Sequence, residues 1–280
     1  MVKMKKGIST WAFTENDYAS QFTLAKKCGF DGVELSLDEE GEVSLSSTEA
    51  DISKIAASAK EEGIELYSIA SGLYWRYAYT SEDKAQREKA KDITKKQIEI
   101  AALAGCDTIL VVPGATGVDF APALGVVAYD DAYKRAQEAL CELAPYAEAC
   151  HVSIGVENVW NKFLTSPLEM KTFLETINSP YVGSYFDVGN VLLNSYPEHW
   201  IRILGKHIRK VHFKDFKRCI NSFCDLLAGD VNYHEVMTAL SDIHYDNWVT
   251  AEVNPYHTHN EVMLCHTSMA MDKILHRDEI

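Results

Sequence analysis

The 280-residue sequence lacks the features that would indicate a membrane or a nucleic acid as its partner. It contains no run of about 18 apolar residues, so no membrane-spanning helix is expected. It is also short of positive charge, with 27 Lys and Arg against 41 Asp and Glu and a net charge of −14. Nucleic acids and anionic lipid surfaces attract basic proteins, so we expect neither as a partner. A local basic pocket for a phosphorylated metabolite is still compatible with this charge.

Cysteine patterns typical of a metal site or a redox site are also missing. The seven cysteines form no C-x-x-C pair and their number is odd, which predicts reduced thiols in a cytoplasmic protein. The opening segment MVKMKKGISTWAF carries positive charge but has no long apolar stretch and no small-residue cleavage site. We expect it to lead into a first strand rather than to act as a signal peptide.

Glycine is absent from the place where a dinucleotide-binding fold would need it. The segment STWAFTENDY, at the end of the first predicted strand, contains none. An open, doubly wound sheet that binds a dinucleotide has a glycine-rich phosphate loop there. This absence makes the doubly wound sheet our second choice of fold.

The strongest pattern that is present is an alternation of strands and helices along the whole chain. Apolar or β-branched segments predict strands, and segments with apolar residues at helical spacing separate them. The eight predicted strands span residues 7–13, 32–37, 64–70, 108–114, 153–159, 181–188, 208–215 and 247–253. Eight such units predict an α/β fold of the (β/α)8 TIM barrel type. No linker divides residues 1–280, so we expect a single domain.

Acidic side chains end three of the later predicted strands. Side chains alternate along a strand, and Glu157, Asp187 and Glu252 fall on the face opposite the more apolar one. His212 lies at a matching position near the end of the seventh strand. Because functional groups of such barrels gather at the C-terminal strand ends, we expect these four side chains to converge.

Three converging carboxylates would repel one another, and at least one of them would take up a proton. A divalent cation removes this repulsion, and carboxylate oxygens with one imidazole suit Mn2+, Mg2+, Co2+ or Zn2+. Any one of these residues alone would be better explained as a helix cap, a surface ion pair or a buried histidine. Their joint occurrence at successive strand ends predicts one divalent metal ion, with Mn2+ as the first choice.

At these residues the sequence resembles the xylose isomerase-like superfamily of sugar isomerases and epimerases, which includes the ketose 3-epimerases. The matching segments are GVEN (155–158), FDVGN (186–190), VHFKD (211–215), AGD (228–230) and AEV (251–253), in order over essentially the whole chain. The resemblance implies that Glu157, Asp187, His212 and Glu252 bind the metal and that Glu157 and Glu252 are the catalytic acid/base pair. It further implies a small-molecule sugar or sugar phosphate as substrate and a homodimer or tetramer.

The reaction expected of these residues is epimerisation at C3 of a ketose. A cation bound to the carbonyl oxygen and the neighbouring hydroxyl stabilises the enediolate that forms when a proton leaves the adjacent carbon. One Glu removes this proton and the other returns a proton to the opposite face. Free-ketose epimerases typically carry His three residues after the metal-binding Asp, where this chain has Asn190. The motif DVGN looks more like the ketose-phosphate epimerases.

Further substrate contacts are predicted around the mouth of the barrel. Trp11 and Trp160 are candidates for an apolar wall, and Glu34 is a candidate for supporting the metal ligands. The aromatic segment SGLYWRYAYTSEDKAQREKA, which contains Arg76, is predicted to form a lid. Four cations are candidates for contacting a phosphate, with Lys214 the best placed: Lys162, Lys214, Arg218 and Arg76.

Three other functions remain compatible with the fold. An aldose–ketose isomerase, of the hydroxypyruvate or xylose isomerase type, uses the same enediolate but moves a proton between C1 and C2. An apurinic endonuclease would need several metals, more His ligands and a basic face, which disagree with this sequence. A non-catalytic metal-binding or sugar-binding barrel would keep the pocket without turnover.

Overall fold

Eight parallel strands close into a barrel in the structure, a computed structural model that describes residues 4–277 apart from the side chain of residue 123. The barrel strands are β1 (Lys5–Ser9), β2 (Gly32–Leu37), β3 (Glu65–Ser71), β4 (Thr108–Val111), β5 (Ser153–Glu157), β6 (Val182–Asp187), β7 (Ile208–Phe213) and β10 (Trp248–Ala251). Around the barrel the strand order is β1-β10-β7-β6-β5-β4-β3-β2. A small antiparallel hairpin of β8 (Asp215–Lys217) and β9 (Ser222–Cys224) follows β7. The predicted (β/α)8 barrel is confirmed.

Eight α-helices in the described part of the chain surround the barrel. They are α1 (Tyr18–Cys28), α2 (Glu49–Glu62), α3 (Lys84–Ala104), α4 (Tyr129–Ala149), α5 (Pro167–Ile177), α6 (Pro197–Leu204), α7 (Tyr233–Asp242) and α8 (Asn260–Ile274). The caps follow from the sequence. Thr48 and Asp51 form a capping box at the start of α2, and Ser166 caps α5 ahead of Pro167. Within residues 4–277, no helix has both the length and the apolar composition needed to cross a bilayer.

The first strand is shorter than predicted and lies earlier in the chain. It ends at Ser9, whose hydroxyl accepts a hydrogen bond from the backbone N–H of Trp11. A turn of 3-10 helix, Thr10–Ala12, follows, because the N–H of Phe13 bonds the carbonyl of Thr10 rather than a neighbouring strand. Trp11 therefore lies outside the sheet, at the mouth of the barrel.

Two cysteines are paired, which contradicts the prediction that all seven are reduced. Cys28, at the end of α1, and Cys265, in α8, form a disulfide with their Cα atoms 4.7 Å apart. They are 237 residues apart in sequence and become neighbours only because closing the barrel brings its first and last helices together. The other five cysteines are free.

The loop after β7 is fixed by one buried carboxylate. Asp215 accepts hydrogen bonds from four backbone N–H groups, those of Phe216, Leu227, Gly229 and Val231, at 2.8 to 3.1 Å. Gly229 is required there, because a Cβ at this position would lie 2.0 Å from Asp215 Oδ1. The loop carries Phe223 to the barrel mouth, so Asp215 links the sheet to one wall of the cavity described below.

Replacing Asp215 by Ala should destabilise the protein by about 3 kcal/mol or more, because several buried N–H groups would lose their acceptor at about 1–3 kcal/mol each. Urea unfolding followed by circular dichroism measures this change. Asp215→Asn, which keeps one carbonyl acceptor, is the matched control and should lose less. Equal stability of Asp215→Ala and wild type would contradict the role assigned to this carboxylate.

Candidate functional site

Four side chains that could hold a metal meet at the C-terminal mouth of the barrel. Glu157 and Asp187 are the last residues of β5 and β6, His212 is the penultimate residue of β7, and Glu252 directly follows β10. Strand register places them at a similar height, since Asp187 pairs with His212, and Thr250, two residues before Glu252, also pairs with His212. Within the described residues, each side chain offers a ligand atom and these atoms lie within 4.8 Å of one another.

Two positive groups lie among these carboxylates. His212 Nδ1 is 2.9 Å from Glu252 Oε2, and Lys214 Nζ is 2.8 Å from Glu252 Oε1. Lys214 Nζ also lies 3.8 Å from Asp187 Oδ2. All of these groups are wholly or mostly buried, so their mutual interactions are only weakly screened by water.

The pKa values of the three carboxyl groups are separated by their surroundings. Burial, and next the charge of Glu252, raises the pKa of Glu157 well above its usual range. Burial also raises the pKa of Asp187 to about 6. The pKa of Glu252 is lowered instead, because Lys214 and His212 together outweigh its burial. The pKa of His212 is raised despite its burial, chiefly by the charge of Glu34. Burial and, after it, repulsion within the cluster thus favour the protonated forms of Glu157 and Asp187.

The donor set fits a divalent cation. Asp187 Oδ2 is buried and has no hydrogen-bond partner, so an acceptor is left without a donor at the centre of the cluster. Ligands on opposite sides of such a cation are about 4.4 Å apart, for metal–oxygen distances of about 2.2 Å. The 4.8 Å spread of the four atoms is close to this separation. Three carboxylates and one imidazole are ligands that Mn2+, Mg2+, Co2+ and Zn2+ accept.

A second layer of polar groups beneath the cluster holds His212. Glu34 Oε1 is 3.0 Å from His212 Nε2, while its other oxygen accepts hydrogen bonds from the hydroxyls of Ser68 and Tyr185. The β2–β3 pairing shifts its register between Val33 and Glu34, where Tyr67 is the extra residue of β3, and this pairs Ser68 with Glu34. With Nε2 engaged by a carboxylate, Nδ1 is the nitrogen directed toward the cluster.

Two asparagines fix the ends of β5 and β6. Asn158 donates to the carbonyl of Asp187 at 2.8 Å and accepts from its N–H at 2.9 Å. The side-chain amide of Asn190 donates to Glu157 Oε1 at 3.3 Å and to the carbonyl of Asn158 at 3.1 Å, and its N–H donates to Asp187 Oδ1. The carbonyl of Asn190 accepts from the indole N–H of Trp160. Asn190 therefore positions two of the clustered carboxylates.

A cavity of about 310 Å³ opens above the cluster. Its floor includes Glu157, Glu252, Asn190 and Lys214, and its walls are largely apolar and aromatic. Trp11 and Trp160, the two tryptophans predicted to form a wall, both line it. Its size is at the lower end of the range for small-molecule sites, about 300–1,000 Å³.

Two predicted features lie elsewhere. Arg76 forms an ion pair with Glu39 at 2.7 Å and does not line the cavity. Part of the segment predicted as a lid is anchored in the protein interior, since Tyr74 and Tyr79 are buried and form hydrogen bonds with the hydroxyl of Thr94 in α3. These two tyrosines are therefore held in place by α3, and the lid stays a prediction for the segment. Ser71 and Trp75 are the residues of this segment that line the cavity.

Several residues that shape the site were missed in the sequence. Ser68 and Tyr185 share the inward face of their strands, but nothing in the sequence indicates that they meet at Glu34. Asn158 is the last residue of the GVEN motif and directly follows Glu157, and this position is the signal that could have identified it. Phe120 lies in a loop and Phe223 in the short β8–β9 hairpin, where sequence pattern predicts no orientation.

Comparison with known proteins assigns the chain to a family. Residues 22–267 match the family model of the xylose isomerase-like TIM barrel, so the chain belongs to this family. SgbU of Escherichia coli K12, provisionally assigned as an L-ribulose-5-phosphate 3-epimerase, is 31% identical over 206 residues, covering 71% of this chain and 68% of SgbU. UlaE of Salmonella heidelberg, an L-ribulose-5-phosphate 3-epimerase, is 27% identical over 250 residues, 85% of this chain and 84% of UlaE.

The fold is shared with solved epimerase structures. D-psicose 3-epimerase from Clostridium cellulolyticum H10, in a structure with D-tagatose, aligns with a TM-score of 0.80 over 98% of this chain and 99% of that chain, at 21% identity. This likeness concerns the fold. The relatives are carbohydrate epimerases, which are enzymes of the isomerase class. The resemblance expected from the motifs at the strand ends is confirmed.

Ionisation of Asp187 should make the metal-free protein less stable as pH rises. Its pKa is raised to about 6 when folded, so the folded state binds the extra proton and loses this stabilisation as pH rises through that value. In EDTA, Asp187→Asn should gain several degrees in Tm relative to wild type at about pH 7.5, and about half as much at about pH 5, which lies between the unfolded and folded pKa values. Thermal unfolding at both pH values checks this. A difference independent of pH would contradict it.

Removing the charge of Glu34 should weaken metal binding by about 10-fold or more. In Glu34→Gln the hydroxyls of Ser68 and Tyr185 would donate to the amide oxygen, so the amide NH2 would face His212 Nε2. This arrangement would favour the tautomer that carries its proton on Nδ1, the nitrogen needed as a ligand. The measurement is the Kd for Mn2+ from chelator competition, which requires no substrate. Tyr185→Phe keeps the carboxylate and serves as control, with a smaller loss. An unchanged Kd in Glu34→Gln would argue against this positioning role.

Proposed function

We propose that the protein is a metal-dependent ketose 3-epimerase, acting on a free or phosphorylated ketose, with Glu157 and Glu252 as its acid/base pair. The observation that carries the proposal is the electrostatic contrast between these two residues. They come from β5 and β10, which two other strands separate, and their ligand atoms lie within 4.8 Å. One pKa is raised and the other lowered. Paired groups whose pKa values are pushed apart are typical of acid/base assignments.

The surrounding residues hold each carboxylate for its role. Lys214 and His212 keep Glu252 ionised, so its oxygen can accept a proton from the carbon beside the ketone. Glu157, oriented by Asn190, holds a proton that it can return on the opposite face. For the epimeric substrate the two roles exchange. When bound by Glu157, Asp187, His212 and Glu252, a divalent cation supplies positive charge beside the oxygen on which negative charge develops.

The relatives support the same reaction. UlaE is named for 3-epimerisation of a ketose phosphate, and the structural neighbour from Clostridium cellulolyticum is named for 3-epimerisation of a free ketose. Both names specify epimerisation at C3, but only the name of UlaE specifies a phosphorylated substrate. Our proposal further includes Mn2+ as the native metal, a cytoplasmic location, one domain, a homodimer or tetramer, and no nucleic acid as partner.

Glu157→Gln and Glu252→Gln should each reduce turnover by about 10²–10⁴-fold, because each removes one proton-transfer group while preserving shape. Proton NMR in deuterated water, with a panel of pentuloses and hexuloses and their phosphates, measures both the rate and the carbon that gains deuterium. Incorporation is expected at C3.

Glu61→Gln, on the exposed surface of α2, is the matched control and should keep the wild-type rate. A wild-type rate in either site variant would remove that residue from the acid/base pair. Deuterium at C1 or C2 would replace the proposal with aldose–ketose isomerisation. No turnover across the panel by the metal-loaded protein would favour a binding barrel without catalysis.

A further inference from the structure

The walls of the cavity above the carboxylates are apolar. Two pairs of aromatic rings form much of them: Trp75 contacts Phe120 edge-on with ring centroids 5.0 Å apart, and Trp160 stacks on Phe223 at 4.8 Å. Trp11 and Val112 extend the same surface. Such walls can pack against the C–H faces of a sugar, but their described residues include no cationic side chain that could pair with an anionic group.

The cavity contains one positive side chain, among the residues that the structure describes. It is Lys214, and its ammonium group is already engaged by Glu252 at 2.8 Å and lies 3.8 Å from Asp187. Its Nζ also lies 4.6 Å from the ring centroid of Phe223. With a divalent cation bound, Lys214 and the cation would together balance the formal charges of Glu157, Asp187 and Glu252. While all three carboxylates are ionised, no surplus positive charge then remains for a phosphate dianion.

The other three cations predicted to contact a phosphate have partners outside the cavity. Lys162 pairs with Asp119 at 2.5 Å and Arg76 with Glu39 at 2.7 Å. The guanidinium of Arg218 donates to the carbonyls of Leu192 and Ser195 at 2.9 and 3.1 Å. None of the three lines the cavity.

Asn190, the residue that suggested a phosphorylated substrate, has a different use here. Its side-chain amide donates to Glu157 and to the carbonyl of Asn158, and its backbone N–H donates to Asp187. These contacts are needed whether or not the substrate carries a phosphate. The DVGN motif therefore reports on how the carboxylates are held, and it does not identify a phosphate site.

We infer that the substrate of this site is an unphosphorylated ketose, whose uncharged chain beyond C4 packs against the aromatic walls. The inference rests on the proposed epimerase function and narrows its substrate class. Moving a phosphate dianion from water into this cavity would cost its hydration, with no paired cation or cluster of donors to replace it. In this respect the chain would differ from SgbU and UlaE, whose names specify a ketose phosphate.

The experiment compares each ketose with its own terminal phosphate ester. For the Mn2+-loaded protein, we expect kcat/KM for at least one free pentulose or hexulose to exceed that for its phosphate by about 10-fold or more, the effect of one missing charge-assisted hydrogen bond. Tryptophan fluorescence should show binding of the free ketose at lower concentration than its ester, because three tryptophans line the cavity. Equal or faster turnover of the ester across all pairs would overturn the inference and leave the epimerase function standing. No turnover of any pair would overturn both.

Adding a cation to the wall provides an independent test. Phe120 is 64% exposed, so Phe120→Lys should fold normally and place an ammonium group at the rim of the cavity. We expect this variant to shift the ratio of kcat/KM values toward the ester by about 10-fold, whereas the matched control Phe120→Met leaves the ratio unchanged. Inorganic phosphate at constant ionic strength should inhibit Phe120→Lys more strongly than wild type. Strong competitive inhibition of wild type by inorganic phosphate would count against the inference.

Discussion

Repulsion among Glu157, Asp187 and Glu252 is the constraint on which the rest of the site depends. Three carboxyl groups within a few ångströms, shielded from water by the barrel, cannot all be ionised without positive charge nearby. In the structure, His212 and Lys214 supply part of that charge, and the raised pKa values of Glu157 and Asp187 favour their protonated forms. A divalent cation removes the same repulsion more completely. The arrangement of the cluster is therefore compatible with a divalent cation.

Such a cluster persists only because the backbone around it is fixed by groups that have no part in the chemistry. The four side chains come from strand ends, whose heights the barrel register sets. Asn158 locks the end of β6 to that of β5, and Asp215 gathers four N–H groups of the following loop. Glu34 holds the imidazole of His212 from below. Positioning within a fraction of an ångström requires this second layer of polar contacts.

Sequence reasoning predicted the parts of this arrangement that follow from short-range periodicity. Alternation along a single strand was sufficient to place Glu157, Asp187, His212 and Glu252 on one face, and the order of strands and helices predicted the barrel that brings them together. Contacts between distant strands could not be predicted in this way. Ser68 meets Glu34 only through a register shift between β2 and β3, and the disulfide between α1 and α8 depends on barrel closure. The hydrogen bonds that join Tyr74 and Tyr79 of the predicted lid to Thr94 of α3 were likewise not visible in the sequence pattern.

The residues in the floor of the cavity determine the reaction, whereas the residues in its walls determine which substrate is bound. The floor is built from strand ends, which the barrel itself positions, so relatives that share the fold can share its chemistry. The walls come from the 3-10 turn after β1, the segment after β3 and the loops after β4, β5 and β7, where sequence varies without disturbing the sheet. In this chain those segments contribute aromatic side chains, which can pack against a neutral sugar. The ammonium group of Lys214 is already paired with Glu252 in the floor, so the described residues of the walls provide no free cation for a phosphate. Similarity of fold alone therefore does not indicate whether such a barrel binds a phosphorylated substrate. Whether each cation near the mouth already has an acidic partner is more informative.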